Sequence, residues 1–274
     1  MHEIFRLLPA RALILDLGSG TGSFAAEPEW VAVRVDAKVP RARPITFVAA
    51  RAEALPFRNR QFTAVIANHS LEHFERLEEA LGEIGRVIDP DGFLYIAVPD
   101  SSTITDRICR WLAPEGGHVN GFTSASVLAR RVSEKTGLPH AGTRVLCTSL
   151  SYLNRANVPG RIQKKQWLFC GGSERALRVL TYAFRRLDRW FGSRLSIYGW
   201  ALYFGSGIDV EADTWTNVCV RCGAGHPSRQ LQKAGGVKQR SYRCPRCGAK
   251  NYFTPDEEYQ FLASLSSAGT SKRP

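Results

Sequence analysis

The chain has 274 residues, 44% of them hydrophobic, with 37 Lys and Arg against 25 Asp and Glu for a net charge of +12. This allows one large domain, or a domain of about 200 residues with a small module. It excludes disordered and fibrous chains, because the apolar fraction supplies a core and the 24 Gly and 14 Pro follow no fixed period.

No apolar run reaches the ~18 residues of a spanning helix. The opening MHEIFRLLPARALILDLG lacks the basic region, long apolar segment and cleavage site of a signal peptide. Together they predict a cytoplasmic location. In chain order, β-rich runs alternate with helical or loop segments over the first 150 residues, the pattern of a parallel α/β sheet. The runs are ALILDLG (12–18), WVAVRVD (30–36), ITFVAA (45–50), FTAVIANHS (62–70), GFLYIAVPD (92–100) and GTRVLCTSL (142–150). Their near-continuous Val, Ile, Leu and Ala suits strands buried on both faces. Glu72 to Ile88 carries Phe74, Leu77, Leu81, Ile84 and Ile88 at helical spacing, and Pro90-Asp91-Gly92 turns into the next strand. Thr123 or Ser124 caps a helix running to about Lys135, which Gly137-Leu138-Pro139 ends. From Glu174 to Arg194 a helical pattern puts Leu177, Leu180, Phe184, Leu187 and Phe191 on one stripe. YGWALYFG (198–205) reads as another strand, and the segment from Ser264 to Pro274 as a mobile tail. The predicted organisation is a domain over 1–208 with a basic insertion at 151–197, a Cys unit over 214–254 and a tail over 255–274.

LILDLGSGTGSF sets Gly18, Gly20 and Gly22 directly after the first strand, where ligands bind in an open α/β sheet. A dinucleotide fingerprint would have glycine at position 23, which is Ser. Asp36 ends the second strand, placed to accept hydrogen bonds from ribose hydroxyls. With LDLGSGTG (15–22), Asp36, AEALPF (52–57), FTAVIANHSLEH (62–73) and PDGFLYIAVPD (90–100) in register, the sequence resembles class I S-adenosylmethionine-dependent methyltransferases of the small-molecule, type 11-like kind. The resemblance covers about residues 12–150 and resumes at YGWALYFG as the last strand. It implies a doubly wound, mostly parallel seven-stranded Rossmann-like sheet. It also implies that the loop with Asp16, Gly18, Ser19, Gly20 and Gly22 wraps the methionine part of S-adenosylmethionine. Asp36 would hold the ribose, Ala52 and Glu53 would flank adenine, and Asn68 and His69 would approach the methionine and the acceptor. Two positions depart from the family: Arg51 stands where an Asp is usual beside the adenine, and Thr63 where an Asp is common.

Methyl transfer from a sulfonium is an in-line displacement, so the protein chiefly aligns the acceptor and excludes water. An oxygen or nitrogen acceptor also needs a base with a pKa near neutrality, which suits His. His69, at the end of the fourth strand, and His118, in the Gly-rich EGGHVNGFT, are the catalytic candidates. His73 reads as a locally packed residue at a helix start, and Asp100 as a second acid at a strand end or as a turn residue.

The excess charge lies in the second half: 17 basic and 17 acidic residues over 1–150, then 10 and 3 over 151–210, and 10 and 5 over 211–274. A basic second half points to an acidic partner or to solubility alone. The arginine-rich helix at 174–194 could lie on an anionic membrane, grip a phosphorylated or lipid-linked glycan, or simply cover the sheet. Cys219-Val-Arg-Cys222 and Cys244-Pro-Arg-Cys247 are separated by 21 residues, and each is followed by Gly. Two CxxC hairpins converge four thiolates on one ion, so this unit resembles a structural zinc ribbon, with a disulfide pair as the rival. Its basic and aromatic residues could contact nucleic acid, or the unit could serve docking and stability. The expectation is a methyltransferase acting on a hydroxyl or similar group of a small metabolite or a glycan- or lipid-linked acceptor. An RNA or protein methyltransferase that recruits substrate through the ribbon, and a scaffold that has lost turnover, stand as alternatives.

Overall fold

In a computed structural model, the structure describes residues 1–20, 22–24, 29–39, 46–112, 118–157, 171–210, 215–233, 235–238 and 240–255. The basic stretch 158–170 with Cys170, the boundary at 211–214 and the tail beyond 255 lie outside the described residues. The chain divides into two compact units, one of residues 1–99, 117–144 and 200–211, the other of 100–116, 145–199 and 212–274.

Seven strands form one sheet: β1 (Leu13–Leu17), β2 (Val31–Asp36), β3 (Phe47–Ala49), β4 (Phe62–Asn68), β5 (Ile88–Pro99), β6 (His140–Cys147) and β7 (Ile197–Phe204). Their order is β3-β2-β1-β4-β5-β7-β6. β1 pairs in parallel with β2 and β4, β2 with β3, and β4 with β5. The sheet reverses direction of growth between β1 and β4, which creates the crevice where ligands of such sheets bind. Burial follows composition: Ile14, Leu15 and Ala64 through Ala67 are fully buried, as two-faced central strands require.

The helices of the first unit are α1 (His2–Phe5), α2 (Leu77–Val87) and α4 (Ala125–Thr136); α3 (Ile104–Leu112) belongs to the second. α4 fits its expected caps: the Ser124 side chain accepts from the Val127 N–H, and Gly137 ends it in the left-handed region. The helix expected from Glu72 begins five residues later. Residues Leu71–His73 form a 3-10 turn, and Phe74 is extended because the Asn120 amide takes the Leu71 and Phe74 carbonyls at 3.0 and 2.7 Å. β5 starts at Ile88 rather than 92, and the Pro90-Asp91-Gly92 turn survives as an irregularity in its pairing with β4.

In the second unit, α5 (Glu174–Phe191) ends at Gly192. Its buried side is Leu177, Thr181, Arg185 and Asp188, while the expected stripe residue Phe191 is 74% exposed. The stripe turns because Asp188 is a fastener: its carboxylate accepts from Ser193 Oγ (2.6 Å), Leu195 N (2.7 Å), Ser196 N (2.8 Å) and Ser196 Oγ, fixing the approach to β7. Beyond it lie β8 (Asn217–Val218), β9 (Gly225–His226), α6 (Ser228–Lys233), β10 (Val237–Lys238), β11 (Ser241–Arg243) and β12 (Lys250–Tyr252), folded on Leu231, Tyr242 and Phe253. No helix among the described residues is long and apolar enough to cross a membrane.

Candidate functional site

The β1 loop is held by its neighbours. The Gly18 and Ser19 N–H groups bond the Val35 carbonyl at 2.8 and 3.0 Å, and the Gly22 N–H bonds the Ser19 carbonyl at 2.6 Å. Gly18 sits at φ +67, and a Cβ there would lie 2.4 Å from Ser70 Cβ, so only glycine lets the loop close against the end of β4. A Cβ on Gly20 would meet nothing within 4 Å, which leaves open space beside the loop. Asp36 accepts from Gly20 N through Oδ2 (2.9 Å) and from Lys38 N through Oδ1 (2.8 Å), tying the β2 end to the loop.

Asp16 is fully buried. Its Oδ2 accepts from Ser23 N at 2.9 Å, with Arg34 Nε 3.8 Å away, and burial raises its carboxyl above the usual range despite these contacts. Asp16 Oδ1 and Ser19 Oγ are buried and meet no hydrogen-bond partner among the described residues. Orphaned buried polar atoms beside a glycine cradle are what a polar ligand would satisfy, so the residues fit the amino-acid part of S-adenosylmethionine. The sequence reading named Asp16 and Ser19 but not Arg34, whose guanidinium bonds the Phe24 carbonyl at 3.1 Å.

Ala52 and Glu53, the residues expected to flank adenine, are buried. Burial opposes ionisation of Glu53, but backbone N–H groups, including Arg76 N at 3.3 Å, and the Arg51 guanidinium hold its carboxyl below the usual range. Arg51 lies 3.3 Å from Glu53 and 2.7 Å from Glu75, so the unusual cation at this position is engaged by two carboxylates. Thr63 is partly buried within β4.

Asn68 closes β4, and His69 follows in the left-handed region at φ +56, its N–H bonded to the Ala97 carbonyl at 2.9 Å. Desolvation, with His118 and His73 nearby, pushes the His69 imidazole down to about 4, although 33% of its side chain stays exposed. The ring is therefore neutral at pH 7. His69 Nδ1 lies 3.9 Å from Glu72 Oε1, and the His73 and His118 rings meet edge to face at 4.9 Å. His69 and His118 thus fall in one cluster, together with Glu72 and His73, which the sequence reading did not rank as site residues. Asp100 serves a turn: Ser102 N and Oγ donate to its Oδ1 at 2.9 and 2.6 Å, and Arg194 pairs with its Oδ2.

In the second unit the four sulfurs of Cys219, Cys222, Cys244 and Cys247 lie within 4.8 Å of one another. Cys219 to Cys247 measures 3.6 Å and Cys222 to Cys244 3.7 Å. Sulfurs at the Zn–S distance of about 2.3 Å on a tetrahedron stand about 3.8 Å apart, so the spacing fits one ion and is far from a disulfide. The hairpins match: Gly223 N bonds the Cys219 carbonyl (3.0 Å) and Gly248 N the Cys244 carbonyl (2.8 Å). Burial pushes the Cys244 thiol up to about 12, which a coordinated cation would reverse. The hairpins are anchored within this unit by Ser149 Oγ on the Cys219 carbonyl (2.7 Å), Asn154 on the Val220 carbonyl (2.9 Å) and a two-pronged Arg221–Glu174 pair.

Residues 15–96 match the family described as a methyltransferase domain. A malonyl-[acyl-carrier protein] O-methyltransferase of Methylococcus capsulatus is 31% identical over 137 residues, covering 44% of this chain and 50% of the relative. A demethylmenaquinone methyltransferase of Chlorobaculum tepidum is 34% identical over 101 residues, 31% of this chain and 40% of its own. The chain therefore spans half the length of the first relative and less of the second. Among solved structures, the Burkholderia thailandensis 1,6-didemethyltoxoflavin-N1-methyltransferase, with bound 1,6-didemethyltoxoflavin and S-adenosylhomocysteine, covers 73% of each chain at 16% identity and a TM-score of 0.44. The matched span 15–96 contains the glycine loop that follows β1 and Asp36 at the end of β2.

Proposed function

We propose that the protein is an S-adenosylmethionine-dependent methyltransferase. The observation that carries this reading is the cradle at the β1–β4 crevice. There a glycine loop is closed on Ser70, Asp36 is fastened to that loop, and the polar atoms of Asp16 and Ser19 are left open to a ligand. The bound cofactor supplies an activated methyl group on a sulfonium. Asp16, Gly18, Ser19, Gly20 and Gly22 hold its amino-acid part, Asp36 the ribose, and Ala52 and Glu53 the adenine edge, while Asn68 closes the methionine side. His69 and His118 stand on the acceptor side, where the neutral, weakly basic His69 ring can accept a hydrogen bond that orients the acceptor. Arg51, neutralised by Glu53 and Glu75, contributes no net repulsion there, which favours a working site over a scaffold.

The acceptor on this reading is a hydroxyl or similar group of a small metabolite or a glycan- or lipid-linked molecule. The second unit supports a lipid-linked one. Trp190 and Phe191 of α5 are 65% and 74% exposed, and Arg186 stands 5.5 Å from the Trp190 ring centroid, a combination suited to a headgroup interface. The four-Cys site is read as structural zinc, since four thiolates leave no position for water. Arg178 over Tyr252 at 5.4 Å supports the alternative in which this unit contacts nucleic acid.

Calorimetry of S-adenosylmethionine and S-adenosylhomocysteine on zinc-replete protein tests the reading. Micromolar binding of both is expected. Folded protein that binds neither overturns it in favour of the scaffold.

A further inference from the structure

We propose that Glu72, His73 and His118 form a second metal site, for a borderline divalent cation such as Zn²⁺, separate from the four-Cys site. One ligand atom from each lies within 4.8 Å of the other two. The set belongs wholly to the first unit, whereas the cysteines belong to the second. Two imidazoles and a carboxylate are a ligand set for zinc and its neighbours, and are unlike the oxygen-only sets preferred by Mg²⁺ and Ca²⁺.

The backbone builds the triad rather than leaving it to chance. Glu72 and His73 lie in the 3-10 turn Leu71–His73. The Glu72 carbonyl accepts from Val119 N at 2.9 Å and Asn120 N at 3.1 Å, which locks the His118 loop against that turn. Asn120 adds bonds to the Leu71 and Phe74 carbonyls on either side of the two ligands. The two imidazoles already meet at 4.9 Å between ring centroids. Glu72 is 1% exposed, so its carboxylate is held inside the turn rather than in open solvent. His73 is exposed, which gives an ion a route from solvent. Three protein ligands leave a coordination position for water or an acceptor oxygen. On this inference His118 is a ligand, and His69 remains beside it as a neutral ring that orients the acceptor.

The test reads metal, not methyl transfer. Full-length protein is dialysed against zinc, freed of loose ion and analysed by elemental mass spectrometry. The expected content is two zinc per chain, falling to one in Glu72→Gln and in His118→Ala, and to one in Cys244→Ser. One zinc in the unmodified chain that survives in His118→Ala and is lost in Cys244→Ser overturns the proposal and leaves the four-Cys site intact. One zinc that survives in Cys244→Ser and is lost in His118→Ala supports the triad and removes the ribbon instead. Against misfolding of a variant, Co²⁺ added to the unmodified, singly zinc-loaded chain gives visible bands without thiolate charge transfer if nitrogen and oxygen ligands bind it. Absence of those bands, or bands with thiolate character, also overturns the triad.

Discussion

Asp36 binds its own loop before it binds anything else. Its oxygens take the Gly20 and Lys38 N–H groups, so the carboxylate both shapes the glycine cradle and presents its remaining lone pairs at the β2 end. Asp36→Ala removes both roles. A hydrogen bond to a charged group contributes about 1.5–3 kcal/mol, so S-adenosylmethionine affinity should fall roughly 10- to 100-fold in a calorimetric titration. An unchanged Kd would remove Asp36 from the site. Such residues were legible in the sequence because strand, glycine loop and strand-end acid occur at short spacing. Glu72 and His73 were not, since their partner His118 arrives from a distant loop held by Asn120.

Among the elements, the central strands read directly from their apolar runs, and α4 from its caps. Elements whose buried faces are polar did not. α3 was not anticipated; the fully buried positions among its described side chains are the polar Thr105 and Asp106, with Thr105 Oγ1 bonding the Ile197 carbonyl at 2.8 Å. α5 was expected to bury Phe191 and instead buries Asp188, whose role depends on four donors C-terminal to it. Asp188→Ala leaves buried N–H groups without acceptors at about 1–3 kcal/mol each. The variant should lose about 2–4 kcal/mol of stability in urea unfolding. A loss below about 0.5 kcal/mol, the scale of ordinary surface substitutions, would show that the 193–196 turn holds itself.

At the scale of the molecule, the first unit is assembled from three separate stretches of chain, and one buried cluster joins all three. Arg144 pairs with Glu3 and donates to Tyr203 Oη at 2.9 Å, and the Tyr203 hydroxyl reaches Glu3 Oε2 at 3.1 Å. Glu3 and its partners lie 141 and 200 residues apart in sequence, too far for any local pattern to have revealed them. Burial alone would raise the Glu3 carboxyl, but the amino-terminal ammonium and the Arg144 guanidinium more than offset it and hold the group at about 2, against an ordinary 4.5. The unfolded chain therefore takes up this proton at higher pH than the folded one. The stabilisation is complete above about pH 4.5 and is lost as pH falls toward 2, on the order of 3 kcal/mol at 1.36 kcal/mol per unit. Glu3→Gln removes the titration and keeps the shape. Its melting temperature should lie below that of the unmodified chain at pH 7, and the difference should narrow steadily between pH 4.5 and pH 3. A difference that stays constant across that window would mean that Glu3 stabilises the unit by shape and hydrogen bonding rather than by its charge.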